Sequence, residues 1–307
     1  MRIAVIGAGG VGGAFGAALA KAGADVTFVA RGAHLAAMRA SGLRIEGGRG
    51  ETVINPAQAT DDPATIGVVD IVMFCVKLWD VETAGAAIRP LVGPGTAVIP
   101  FQNGIDAPER LVPILGKQAV MGGVAQISAT IAEPGVIRQT GTFMRLVFGE
   151  LDGGLGARGD AFLALCKQAG FDAAHSPRIQ TDLWLKFILL ATNSGFTAAT
   201  RSPLGKLRDD PDIAPLMHQA IAEVAAVGKA RGVALPEDVV EKTIAGTAGL
   251  PPQMMASMAH DLLRGGRLEL PWLSGKVASL GRELGVPTPV HAMLNAVLKP
   301  FADGKPG

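Results

Sequence analysis

The stretch Arg2-Ile3-Ala4-Val5-Ile6-Gly7-Ala8-Gly9-Gly10-Val11-Gly12 decides the fold. An apolar, β-branched run stops at a glycine. The G-x-G-x-x-G spacing of Gly7, Gly9 and Gly12 then leads into an alanine-rich helical pattern over residues 12–22, which Gly23 ends. Strand, glycine turn and helix in that order form the phosphate-binding half of a βαβ unit. The first glycine permits the tight turn, the second lets backbone approach a pyrophosphate, and the third lets the helix pack closely. The helix N-terminus adds amides and a partial positive charge. Gly7, Gly9, Gly10, Val11 and Gly12 are therefore candidate cofactor contacts.

Outward from this motif, short apolar runs alternate with helical patterns through the first half of the chain. Strands are expected at Arg2–Ile6, Asp25–Val29 and residues 71–76, 97–101 and 119–124, with a helix over 81–88. A glycine-punctuated, strand-rich stretch over 135–150 can extend the sheet in antiparallel fashion. After Pro177 the period changes to 3.6, and helices are expected at Ile179–Thr200, Ile213–Ala230 and residues 237–244, 253–263, 273–284 and 290–298. The fold class is thus α/β: an N-terminal Rossmann doubly wound sheet over residues 1–176 and a second, all-helical domain over 177–307.

The end of the second strand selects the dinucleotide, because a carboxylate there would accept the adenosine ribose hydroxyls. This chain has Val29-Ala30-Arg31-Gly32 instead. Arg31 offers a planar fork suited to a 2′-phosphate, so NADP(H) is the expected cofactor. Lys77 and Asn103 follow the third and fourth strands, at the carboxyl ends where open α/β sheets bind ligands. Lys77 is placed for cofactor phosphate, ribose or substrate; Asn103-Gly104 reads equally as an ordinary turn.

Bulk composition narrows the partners. The 307 residues are 49% hydrophobic and 18% charged with a formal net charge of +1, a balance that suits a well-buried protein and gives no stripe for nucleic acid or anionic lipid. Cys75 and Cys166 lack metal-like spacing, so no metal site is expected. No secretion signal or uninterrupted apolar span is read, and a cytoplasmic enzyme is expected. Oligomeric state is open, a homodimer being one alternative.

Lys186 is the most informative residue of the second half. Leu183, Trp184, Leu185, Phe187, Ile188, Leu189 and Leu190 surround it in sequence, so its ammonium must snorkel out, pair with a carboxylate or give up its proton. Carbonyl reduction needs a proton donor as hydride arrives, and such a lysine can serve. Glu269, set between Leu268 and Leu270, is a candidate orienting partner. Ser257 and Asp261 stand four apart on one expected helix and share a face. Ser257 is a candidate ligand for a substrate carboxylate, with Asp261 in support.

Taken together, the glycine loop at Gly7, Arg31, Val76-Lys77, Gln102-Asn103-Gly104, Trp184-x-Lys186, Ser257-x-x-x-Asp261 and Glu269 resemble the ketopantoate reductase (2-dehydropantoate 2-reductase) family along nearly the whole chain. The resemblance implies NADPH-dependent reduction of a small 2-oxo acid, 2-dehydropantoate to pantoate in pantothenate biosynthesis. It implies Lys186 as general acid, Glu269 as its partner, Ser257 as a carboxylate ligand, and Asn103 as a contact for cofactor and substrate.

The chain departs from that family four and eight residues after the lysine. Relatives often carry substrate-binding asparagines there; here the positions are Leu190 and Ser194. Asn193 lies about 20° from the lysine direction on a helix and is the candidate replacement. Loss of an amide at Leu190 weakens selection for a hydroxylated side chain, so a more apolar 2-oxo acid is the alternative substrate. A non-catalytic NADP-binding regulator is the alternative of another class, and a 3-hydroxy acid dehydrogenase is a further enzymatic one. His291, where relatives commonly have asparagine, receives no role.

Overall fold

The computed structural model describes residues 1–305. The chain divides into two compact units, one made of Met1–Gln102 and Asp106–Ile179, the other of Asn103–Ile105 with the chain from Gln180 onward. Residues 306 and 307 of the expected second domain lie outside the described residues.

The first unit runs β1 (Arg2–Ile6), α1 (Gly10–Lys21), β2 (Asp25–Val29), α2 (Gly32–Ser41), β3 (Leu43–Gly47), β4 (Thr52–Ile54), β5 (Gln58–Thr60), β6 (Ile71–Phe74), α3 (Val81–Ala87), β7 (Ala97–Pro100), α4 (Ala107–Leu115), β8 (Met121–Glu133), β9 (Val136–Glu150), α5 (Ala157–Gln168) and β10 (Asp172–His175). Strands β5-β2-β1-β6-β7 form a parallel sheet in that order. Chain order reverses beside β1, which is the doubly wound arrangement expected of a Rossmann sheet. Ile3, Val5, Phe28, Ile71, Met73, Ala97 and Ile99 are buried in its core.

One expected strand joins a different sheet. The run over 119–124 touches the parallel sheet at a bridge between Val98 and Val120, then continues as β8, antiparallel to β9. Gly135, at φ +80°, supplies the left-handed residue of the connecting turn. This hairpin pairs residues close in sequence along nearly its full length, and β9 also takes β3 and β10 as parallel neighbours. The stretch over 135–150 therefore builds a second sheet rather than extending the first.

Helix α1 lies against both sheets. An added Cβ at Gly12 or Gly16 would meet side chains of β1 and β2, Val5 and Phe28. An added Cβ at Gly10 or Gly13 would meet Ala129 of β8 or Ile137 of β9. Small residues on two faces let one helix fill the space, and Phe15, Ala17, Ile137, Leu146 and Phe148 share its core.

The second unit is helical: α6 (Ile179–Thr200), α7 (Leu204–Arg208), α8 (Ile213–Ala230), α9 (Val239–Ala248), α10 (Ser257–Leu263), a 3₁₀ turn at Leu270–Trp272, α11 (Ser274–Leu284) and α12 (Pro289–Leu298). Gly232, Gly265 and Gly285 take positive φ just beyond α8, α10 and α11, where a left-handed residue stops a helix. Leu183, Trp184, Phe187 and Ile188 of α6 are buried, each contributing roughly 2 kcal/mol of apolar burial. Glu223 of α8, also buried, accepts the Val290 and His291 amide hydrogens at 3.0 Å each and caps α12. The His291 ring sits between the Ser274 hydroxyl and the Ala220 carbonyl, and burial lowers its pKa to about 4. It is a neutral core histidine.

Candidate functional site

In the first unit the glycine loop is tied to the end of β2, the Gly7 and Ala8 amides both donating to the Val29 carbonyl at 3.1 and 3.2 Å. Gly7 turns the chain at φ +96°. An added Cβ at Gly12 would collide with the Gly7 carbonyl, so this glycine sets how closely α1 approaches the strand. Gly9 differs: a Cβ there would have nothing within 4 Å. Its backbone faces open space at the N-terminus of a 12-residue helix, beside Gly10 and Val11, where no side chain caps the first-turn amides among the described residues. The cradle fits a dinucleotide pyrophosphate.

Arg31 flanks this loop as the N-cap residue of α2; it is exposed, its carbonyl accepts from the Leu35 amide at 3.3 Å, and its guanidinium has no hydrogen bond or ion pair among the described residues. Lys77 is exposed just after β6, its Nζ 5.5 Å from the centre of the Trp79 ring. Sequence reasoning assigned nothing to two neighbours. Gln102 is buried and donates from Nε2 to the Phe74 and Val76 carbonyls at 2.9 and 3.1 Å, fixing the end of β6 that presents Lys77. His34 touches both the Ala8 carbonyl and the Gly135 amide. The motif around Asn103 draws the eye to Gln102; a lone histidine three residues after Arg31 carries no such signal.

In the second unit, Lys186, Asn103 and Glu269 form one hydrogen-bonded chain. Lys186 Nζ donates to Asn103 Oδ1 at 3.2 Å, and Asn103 Nδ2 donates to Glu269 Oε2 at 3.2 Å. The carboxamide bridges ammonium and carboxylate. Glu269 is buried at the start of the 3₁₀ turn, and Gly104, at φ +90°, lets the Asn103 loop approach the Trp272 carbonyl. Desolvation lowers the Lys186 pKa to about 8, and the nearby charge of Glu269 opposes that fall. With one donor engaged, the ammonium has two further N–H groups for an incoming oxygen.

The remaining candidates stand apart from this chain of contacts. Asn193 is buried, with its Oδ1 unpartnered among the described residues; so is Ser194, with an unpartnered Oγ. Ser257 opens α10 and is exposed, and Asp261, one turn on, binds Arg264 at 3.1 Å. Among the described residues there is no group of three His, Cys, Asp or Glu able to hold a metal, and no helix long and apolar enough to cross a membrane.

Comparison with known proteins identifies the family. Residues 3–153 match the family described as Ketopantoate reductase PanE/ApbA, and residues 178–302 match its C-terminal counterpart. A 2-dehydropantoate 2-reductase of Mesorhizobium japonicum is 31% identical over 98% of this chain and 98% of its own. The crystal structure of a PanE/ApbA family ketopantoate reductase from Ralstonia eutropha JMP134 superposes with a TM-score of 0.90 at 32% identity, covering 98% of each chain. A D-mandelate dehydrogenase, solved with NADH and anilino(oxo)acetate, shares the fold at 19% identity and a TM-score of 0.89, again over 98% of each chain. An oxidoreductase acting on a small oxo acid with a nicotinamide cofactor follows from the family match. The chain belongs to the ketopantoate reductase family and is an enzyme of the 2-dehydropantoate 2-reductase kind.

Proposed function

We propose that the protein reduces 2-dehydropantoate to pantoate with NADPH, in the cytoplasm, using Lys186 as general acid. The observation that carries this reading is the Lys186–Asn103–Glu269 chain, which holds an ammonium of lowered pKa by one donor and leaves the others for substrate. NADPH held by the glycine loop would supply the hydride for the 2-oxo carbon. As charge develops on the carbonyl oxygen, Lys186 donates a proton to it, giving a secondary alcohol and a neutral amine. Glu269 holds the ammonium charged against desolvation, and Asn103 aims it.

The Arg31 guanidinium, just beyond β2, has no hydrogen bond or ion pair among the described residues and is suited to a 2′-phosphate, which supports NADPH over NADH. Gly7, Gly9, Gly10, Val11 and Gly12 would hold the pyrophosphate, with Lys77 and Asn103 as further cofactor contacts. Asn193, Ser257 and Asp261 keep their proposed place as substrate contacts, Asn193 because its buried Oδ1 lacks a partner among the described residues. The two unpaired cysteines suit a reducing compartment.

Leu190 favours a second reading. One turn after Lys186 it presents a half-buried hydrocarbon where an amide would have selected a hydroxyl, which suits a more apolar 2-oxo acid. A panel of 2-oxo acids scored by NADPH consumption separates the two. The first reading expects the highest kcat/KM with 2-dehydropantoate; a lead of about tenfold or more for an alkyl or aryl 2-oxo acid establishes the second.

A further inference from the structure

His34, in the first turn of α2, bridges the glycine loop and the β8–β9 turn. Its Nδ1 lies 3.0 Å from the Gly135 amide nitrogen and its Nε2 lies 2.9 Å from the Ala8 carbonyl oxygen. An amide only donates and a carbonyl only accepts, so the ring is the neutral tautomer with its proton on Nε2. Burial holds the imidazole pKa below its ordinary value, in keeping with that form.

The bond to Ala8 acts on more than Ala8. The Ala8–Gly9 peptide is planar and trans, so its C=O and N–H point in opposite directions. Fixing the carbonyl fixes the direction of the Gly9 N–H. That N–H has no acceptor among the described residues, and the space beside the Gly9 α-carbon is open. A donor on the carbonyl also polarises the peptide and strengthens the N–H at its far end.

We propose that His34 is a positioning residue for the dinucleotide, aiming and polarising the Gly9 amide toward the pyrophosphate through its Nε2 hydrogen bond to Ala8. This rests on the reading that the glycine loop holds NADPH. The second bond, to Gly135, anchors the ring.

Calorimetric titration of NADPH into the full chain tests the assignment, with melting temperatures measured in parallel. Glutamine places an N–H donor near the position of imidazole Nε2, and asparagine places an acceptor near that of Nδ1, so each variant retains one of the two bonds. His34→Ala and His34→Asn are expected to weaken NADPH binding about tenfold, equivalent to about 1.4 kcal/mol. His34→Gln should bind within about threefold of the unaltered protein. Should the alanine variant fail to fold, the Gln and Asn pair carries the comparison. Full binding by His34→Asn together with weak binding by His34→Gln overturns the proposal and leaves His34 as a fastener of the β8–β9 turn. Equal binding by all variants overturns it as well. Absence of NADPH binding by the unaltered protein removes the dinucleotide reading and this one with it, whereas normal binding with indifferent variants removes only the role of His34.

Discussion

The two sites are built from opposite materials. The glycine loop is backbone: small residues, amides and a helix terminus, framed by β-sheets. The Lys186 site is side chain: an ammonium, a carboxamide and a carboxylate gathered from three distant stretches of sequence. Backbone recognises phosphate by shape and has no proton to give. Side chains in apolar surroundings tune a proton but are held only by one another. Binding and chemistry should therefore fail separately.

The largest separation is expected from Lys186→Met. Removing the proposed general acid should lower kcat by about a thousandfold. NADPH affinity should stay within about threefold, and stability should fall by roughly 1 to 3 kcal/mol because the buried Glu269 carboxylate loses the charge that compensates it. Parallel loss of kcat and NADPH binding would show that the lysine supports the fold instead.

A smaller effect follows from pH. Only the protonated amine donates, so reduction should be fast below about pH 8 and decline as pH rises through it, while oxidation of the alcohol rises over the same range. Glu269→Gln removes the charge that holds the Lys186 pKa up, so the alkaline limb should move to lower pH and kcat at pH 8 should fall about tenfold. A limb that stays in place disconnects Glu269 from the proton.

The smallest change belongs to the first site. Arg31→Ala should cut the preference for NADPH over NADH by about fivefold, through the KM of NADPH and with kcat unmoved. An unchanged ratio removes Arg31 from the site. This variant sharpens the contrast, since it alters binding while the Lys186 chain stays intact.

What could be read from sequence follows the same division. The glycine loop and α6 were legible because their signals are local: G-x-G-x-x-G after a strand, and an apolar pattern over Ile179–Thr200 beginning just past Pro177. Short strands were not. β5 is Gln58-Ala59-Thr60, with no alternation or apolar run to mark it, yet it completes the parallel sheet. The destination of β8 was hidden because pairing partners are set by tertiary packing rather than composition. Lys186, Glu269 and Asn103 were each singled out, but the carboxamide standing between the two charges is a fact of three dimensions. His34 escaped altogether, because its partners are backbone groups from two other segments.

The pinning of α1 between two sheets bears on how the protein is made. Gly10, Gly12, Gly13 and Gly16 give this helix little intrinsic tendency to form, about 1 kcal/mol lost per glycine relative to alanine. Its order is borrowed from neighbours, and two of them, β8 and β9, leave the ribosome long after it does. A nascent chain ending before β9 thus has the phosphate motif in its sequence but no helix end to display it. On the proposed reading of the glycine loop, competence for the coenzyme waits for those two strands.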